Sequence, residues 1–92
     1  MSKYDGSEQD RHAASAAFGQ RLRELRAEHS VSQHDLARRT GMFSTEIGRY
    51  ERGSREPRPT TILRIARGLG VQPGALLEEL IPATEDEHDV RQ

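Results

Sequence analysis

The sequence predicts an all-α fold: a compact domain of five short helices with flexible polar ends. Three observations lead there. Apolar residues recur at helical spacing in several short stretches, as at Phe18, Leu22 and Leu25, and no stretch shows the period of two that marks a strand. Capping and stop residues divide these stretches at short intervals, with Ser32, Gly41, Gly53, Pro59, Gly70 and Pro73 at the boundaries. Finally, 92 residues with a 33% hydrophobic share and no Trp support one modest core in a single domain.

Each element has its own justification. Residues 1–12 read as a polar N-terminal arm, although "RHAASAAF" could lengthen the first helix by a turn. Ser15 is a suitable N-cap for that helix, and Phe18, Leu22 and Leu25 form its apolar stripe. It ends at "EHS", where Ser30 takes a place better suited to glycine. The second helix starts with Ser32 as cap, Asp35 at the third helical position, and Val31 placed to staple onto Leu36. It runs to about Thr40, with Gly41 as a left-handed stop. The third spans roughly Ser44 to Arg52 and is closed by Gly53. Pro57 and Pro59 then interrupt the helix, and Pro59 suits the first turn of a fourth bearing Ile62, Leu63, Ile65, Ala66 and Leu69. Pro73 opens an expected fifth helix with Leu76, Leu77, Leu80 and Ile81, so the folded domain is set at 13–81. After Pro82, "ATEDEHDVRQ" has no core pattern, and residues 82–92 read as an acidic, disordered tail.

Charge is distributed unevenly. Residues 11–76 carry 12 Arg against 6 acidic residues, whereas residues 77–92 carry one Arg against six acidic residues, within a net charge of −1. A basic body between acidic ends is the electrostatic outline of an anion-binding domain. Absence of Cys excludes a disulfide framework and thiolate metal sites. His12, His29, His34 and His88 have no metal-ligand spacing, and no glycine-rich phosphate loop or nucleophile–base arrangement is visible. The expectation is a protein that is not an enzyme and uses no cofactor or metal. The polar start "MSKYDGSEQD" with no apolar run behind it argues against a signal peptide or membrane span and for a cytoplasmic setting.

The short third helix poses the functional question. At about 100° per residue, Ile47, Tyr50 and Glu51 fall on one side, and Ser44, Thr45, Gly48, Arg49 and Arg52 on the other. The apolar side suits docking on the core. The polar side suits insertion into a major groove about 12 Å wide, and Gly48 either keeps its middle low for close approach or is simply tolerated there.

The ordered run "SQ", "LA", a turn glycine and "Ile-x-x-Tyr-Glu-x-Gly", within "LRELRAEHSVSQHDLARRTGMFSTEIGRYERG" and its continuation "SREPRPTTILRIARGLGVQPGALL", resembles the helix-turn-helix domain of the phage repressor and Cro (XRE-like) family. The resemblance covers residues 15–81 and implies a lambda-repressor-like fold that binds double-stranded DNA. It implies base contacts from Ser44, Thr45 and Arg49, and a bracing and phosphate-bonding role for Gln33. It also implies an internal ion pair between Arg26 and Glu51. Arg38, Arg39, Arg52, Arg55 and Arg58 surround the same surface and are the expected phosphate contacts. Phe43 departs from the family's small or polar cap. It either touches a thymine methyl or covers the turn, and covering the turn is the expectation.

These readings point to a sequence-specific transcriptional regulator, a repressor type, acting as a homodimer through Leu76, Leu77, Leu80 and Ile81. The alternative is an antitoxin or adaptor whose acidic tail or fifth helix holds a protein partner, with DNA binding secondary.

Overall fold

The computed structural model describes residues 7–78. Among them the backbone forms α1 (Ser7–Glu28), α2 (Gln33–Thr40), α3 (Ser44–Glu51), α4 (Pro59–Leu69) and a single 3-10 turn at Pro73–Leu77. The expected fifth helix is thus corrected to a turn, and the described residues contain four α-helices. Gly74 is a poor helix former, and the tighter 3-10 winding suits short pieces such as the five residues Pro73–Leu77. Leu80, Ile81 and the acidic tail lie outside the described residues.

α1 begins earlier than expected, at Ser7, so residues 7–12 are helical and Ser15 sits inside the helix, buried, instead of capping it. The physical reason is favourable local chemistry. Glu8 and Asp10 stand in the first turn, where the helix dipole favours negative charge, and Ala13, Ala14, Ala16 and Ala17 follow.

The expected boundaries of α2 are observed. Ser32 Oγ accepts the Asp35 backbone N–H at 2.9 Å. Gly41 closes the helix at φ 73°, its N–H donating to the Ala37 carbonyl. Only Met42 and Phe43 separate Gly41 from α3, so this left-handed turn sets the angle between the two helices. Ser30 does adopt the positive φ expected of it, at 56°.

Phe18, Leu22, Leu36, Ile47, Ile65 and Leu76 are the fully buried large side chains, one or more from every helix and one from the 3-10 turn. Each such burial is worth about 1.5–3 kcal/mol. Phe18 meets Tyr50 edge-on at 6.4 Å between centroids, which packs α1 against α3. Leu76 fills the core from the turn, and Arg21 secures that turn by donating from Nε to the Ala75 carbonyl at 2.8 Å and pairing with Glu78 at 3.1 Å. α2 and α4 are joined at their C-terminal ends by a reciprocal exchange. Arg39 donates to the Gly68 carbonyl at 3.1 Å, and Arg64 donates to the Thr40 carbonyl at 2.7 Å. Each guanidinium therefore sits at the negative end of the other helix.

The closest approach of α1 and α3 occurs at Gly19. A Cβ there would lie 2.4 Å from the Tyr50 carbonyl oxygen and 2.5 Å from that of Glu51. Both are backbone atoms at the end of α3, so neither can yield without moving the helix. Gly19→Ala should therefore lower stability by about 1–3 kcal/mol in urea denaturation, despite the better helix propensity of Ala. Gly74→Ala, where a Cβ meets nothing within 4 Å, should leave the midpoint close to that of the original chain.

Candidate nucleic-acid interface

The two sides of α3 divide as its periodicity predicts. Ile47, Tyr50 and Glu51 are buried, while Thr45, Arg49 and Arg52 are exposed and Ser44 is half-buried. Eight residues make a marginal helix in isolation, so tertiary contacts must hold it. Glu51 supplies the strongest of them. Its carboxylate, 4% exposed, accepts Arg26 Nε at 2.5 Å on Oε2, and both Arg26 Nη2 at 3.1 Å and Gln33 Nε2 at 2.7 Å on Oε1. Its backbone carbonyl accepts from Arg23. Arg26 also donates to the Val31 carbonyl at 3.0 Å. One side chain of α3 is thus bonded to α1 and to the first residue of α2.

The N-terminus of α3 is held differently. Glu46 accepts the Phe43 backbone N–H at 2.9 Å, half of a capping box whose other half a phenylalanine cannot provide. That engagement occupies Glu46. Arg49 forms no ion pair among the described residues. The expectation that Phe43 covers the turn is corrected: its ring is 76% exposed, and the partly buried Met42 packs on the core instead. One residue of difference in a tight connection points these two side chains in different directions.

Around α3 lies an open depression of about 340 Å³ lined by Gln33, Ser44, Thr45, Gly48, Arg49 and Arg52. The structure therefore brings together the three residues expected to contact bases, the bracing Gln33 and one of the expected phosphate ligands. The other arginines diverge. Arg38 is engaged by Asp35 at 3.1 Å, and that bond, together with Ser32, holds the Asp35 carboxyl below the usual carboxylate range against a smaller opposing effect of desolvation. Arg39 lines a separate depression of about 530 Å³ with Arg64 and Arg67, and its bond to Gly68 serves the fold. Arg55 lies 5.9 Å from the centroid of the Tyr50 ring, a cation–π contact that steadies it beside the end of α3. Arg58 occupies the N-cap position of α4 and is exposed. Leu76 is buried in the core and offers nothing to a second copy, whereas Leu77 is 39% exposed. Sequence reasoning missed Gly19, Arg23 and Arg64. Only a glycine within an otherwise helical "AAFGQRL" hinted at the first of these.

The arrangement is one that can recognise an anionic, edge-patterned surface: a short convex helix with hydroxyls and a free guanidinium, rigidly seated. Comparisons with known proteins identify the family of the domain. Residues 17–80 match the family described as a helix-turn-helix domain. The chain is 35% identical over 68 residues to an uncharacterized HTH-type transcriptional regulator of Mycobacterium tuberculosis, covering 74% of this chain. It spans only 27% of that relative's length. It is 40% identical over 62 residues to the control protein C.BamHI of Bacillus amyloliquefaciens, covering 66% of this chain and 76% of that protein. The crystal structure of the restriction-modification controller protein C.AhdI from Aeromonas hydrophila is similar, with a TM-score of 0.65 and 40% identity over 67% of this chain and 94% of that one.

Removing the Glu51 carboxylate strands Arg26 and frees Gln33. Glu51→Ala should cost about 3–5 kcal/mol of stability, and replacing Arg26 and Glu51 together by apolar residues of similar volume should recover part of that loss. Chemical denaturation of the two single variants and the double variant measures this. Additive losses would remove the coupling inferred here.

Proposed function

The chain belongs to the helix-turn-helix family of phage repressor and Cro (XRE-like) type, and on that premise we propose that it is a sequence-specific DNA-binding transcriptional regulator. The observation that carries the reading is the exposed polar face of α3, on which Ser44, Thr45 and Arg49 share one depression while the opposite face is tied to α1 and α2. α3 enters the major groove with this face toward the base edges. Arg49 donates two hydrogen bonds to guanine O6 and N7, and the hydroxyls of Ser44 and Thr45 adapt to neighbouring bases. Gln33 uses one amide hydrogen on Glu51 and keeps the other for a phosphate. Arg38, Arg55 and Arg58 supply phosphate contacts that position the domain without reading sequence. Phe43, exposed at the entry to α3, is placed to contact a thymine methyl.

One recognition helix covers too few base pairs for useful selectivity in a genome, so the regulator acts as a homodimer on a two-fold symmetric operator. Half-sites then lie about 34 Å apart, one turn of DNA. Leu77 belongs to the interface, together with Leu80 and Ile81 outside the described residues; Leu76 supports it from the core.

Selection of bound duplexes from a random pool tests the function. A two-fold symmetric consensus is expected, and enrichment of no sequence would contradict it. On that consensus, Arg49→Ala should abolish the preference at one base pair per half-site, a loss of about 1–3 kcal/mol of discrimination. Sedimentation at micromolar concentration should show a dimer that Leu77→Asp converts to monomer. A monomer in both cases, binding the symmetric site without cooperativity, contradicts the assembly.

A further inference from the structure

Gly48 is buried although it lies on the polar face of α3, between exposed neighbours. Its burial comes from a side chain one turn further on. A Cβ at position 48 would stand 3.1 Å from Arg52 Nη1 and 4.0 Å from its Cζ, with Gln33 Nε2 at 3.8 Å. Helical side chains lean toward the N-terminus, so a residue at i+4 covers the surface over residue i. Arg52 caps the C-terminal end of α3, and its guanidinium follows that direction back to the middle of the helix. The missing side chain at 48 leaves the space it occupies.

This geometry does not suit a phosphate contact. A side chain reaching the DNA backbone from the end of a recognition helix must extend sideways out of the groove, whereas Arg52 lies along the helix, inside the depression shared with Ser44, Thr45 and Arg49. Among the described residues no carboxylate pairs with it, so its five donors remain available. Gln33, whose Nε2 would stand 3.8 Å from the same Cβ, is held in place by Glu51.

Building on the DNA-binding function proposed above, we propose that Arg52 reads a base: through the notch at Gly48 its guanidinium contacts a guanine edge in the major groove, making it a specificity-determining residue alongside Arg49. The ligand is the O6 and N7 pair of a guanine, at a base pair different from the one Arg49 reads. Gly48 is thereby a positioning residue, because it gives Arg52 the room to lie flat. A larger residue at 48 would send the same guanidinium outward, toward the phosphates.

The test uses the full chain and the duplex selected by it. Affinities of the original protein, Arg52→Ala and Arg52→Gln are measured against every single base-pair change in one half-site, and against a duplex with 7-deazaguanine at the affected position. The glutamine variant keeps a stem packed over Gly48, so the readout does not depend on one variant folding. Both variants should lose a preference of about tenfold or more at one base pair, distinct from that lost in Arg49→Ala. The 7-deazaguanine should weaken binding by the original protein several-fold and leave Arg52→Ala nearly unaffected. If instead the variants weaken all duplexes by one common factor, with the base preferences intact and the salt slope lower by about one, Arg52 is a phosphate contact and the assignment is overturned. If the selection itself enriches no sequence, the regulator function fails, a result distinct from failure of the Arg52 assignment alone.

Discussion

A carboxylate withdrawn from water is tolerated only where donors surround it, and Glu51 meets that requirement through Arg26 and Gln33. The constraint works in both directions. Bonds that satisfy the charge also fix how far α3 is turned about its own axis, because Glu51 must face α1 and the start of α2. Rotation of α3 by one residue, about 100°, would carry Glu51 away from Arg26 and pull Ile47 from the core. The exposed face therefore has only one composition available to it: Ser44, Thr45, Arg49 and Arg52, with Gly48 covered by Arg52. Recognition and stability are two consequences of the same seating.

Arginine use follows from this division. Arg26, Arg39 and Arg64 are bonded to carbonyls or to Glu51 within the fold. They keep the helix ends together in a protein whose core is small. Arg49 and Arg52 stay available on α3, and Arg55 is steadied by the Tyr50 ring. The basic character of residues 11–76 thus combines two populations with different work, which a net charge cannot separate. Where a guanidinium meets a helix C-terminus it neutralises carbonyl dipoles. Where it stands over a short polar helix it is left to a partner.

Much of this was legible in the sequence, for local reasons. Ser32 and Gly41 bracket α2 because side-chain caps and left-handed stops act over one turn. The partition of α3 follows from helical periodicity alone. The Arg26–Glu51 pair was reached through the family resemblance, since nothing in spacing links residues so far apart in the chain. Other features depended on three-dimensional approach. The early start of α1 was hidden because Ser15 looks like a cap, yet lies buried inside the helix. The 3-10 turn at Pro73–Leu77 carries the apolar spacing that a helix would share, and Gly74 within it weakens the α-helical alternative. Which way Phe43 points, and which arginines the fold consumes, are matters of side-chain direction that composition does not encode.

The most direct test of the central claim is a nitrogen-15 NMR titration of the protein with its selected duplex, following backbone and side-chain amides together. The account predicts the largest shifts at Ser44, Thr45, Gly48, Arg49 and the Gln33 side chain, with smaller ones near Arg55 and Arg58 and little change around Arg21 and Ala75 on the far contact between α1 and the 3-10 turn. Shifts concentrated around Arg39, Arg64 and Arg67, with α3 unperturbed, would contradict it.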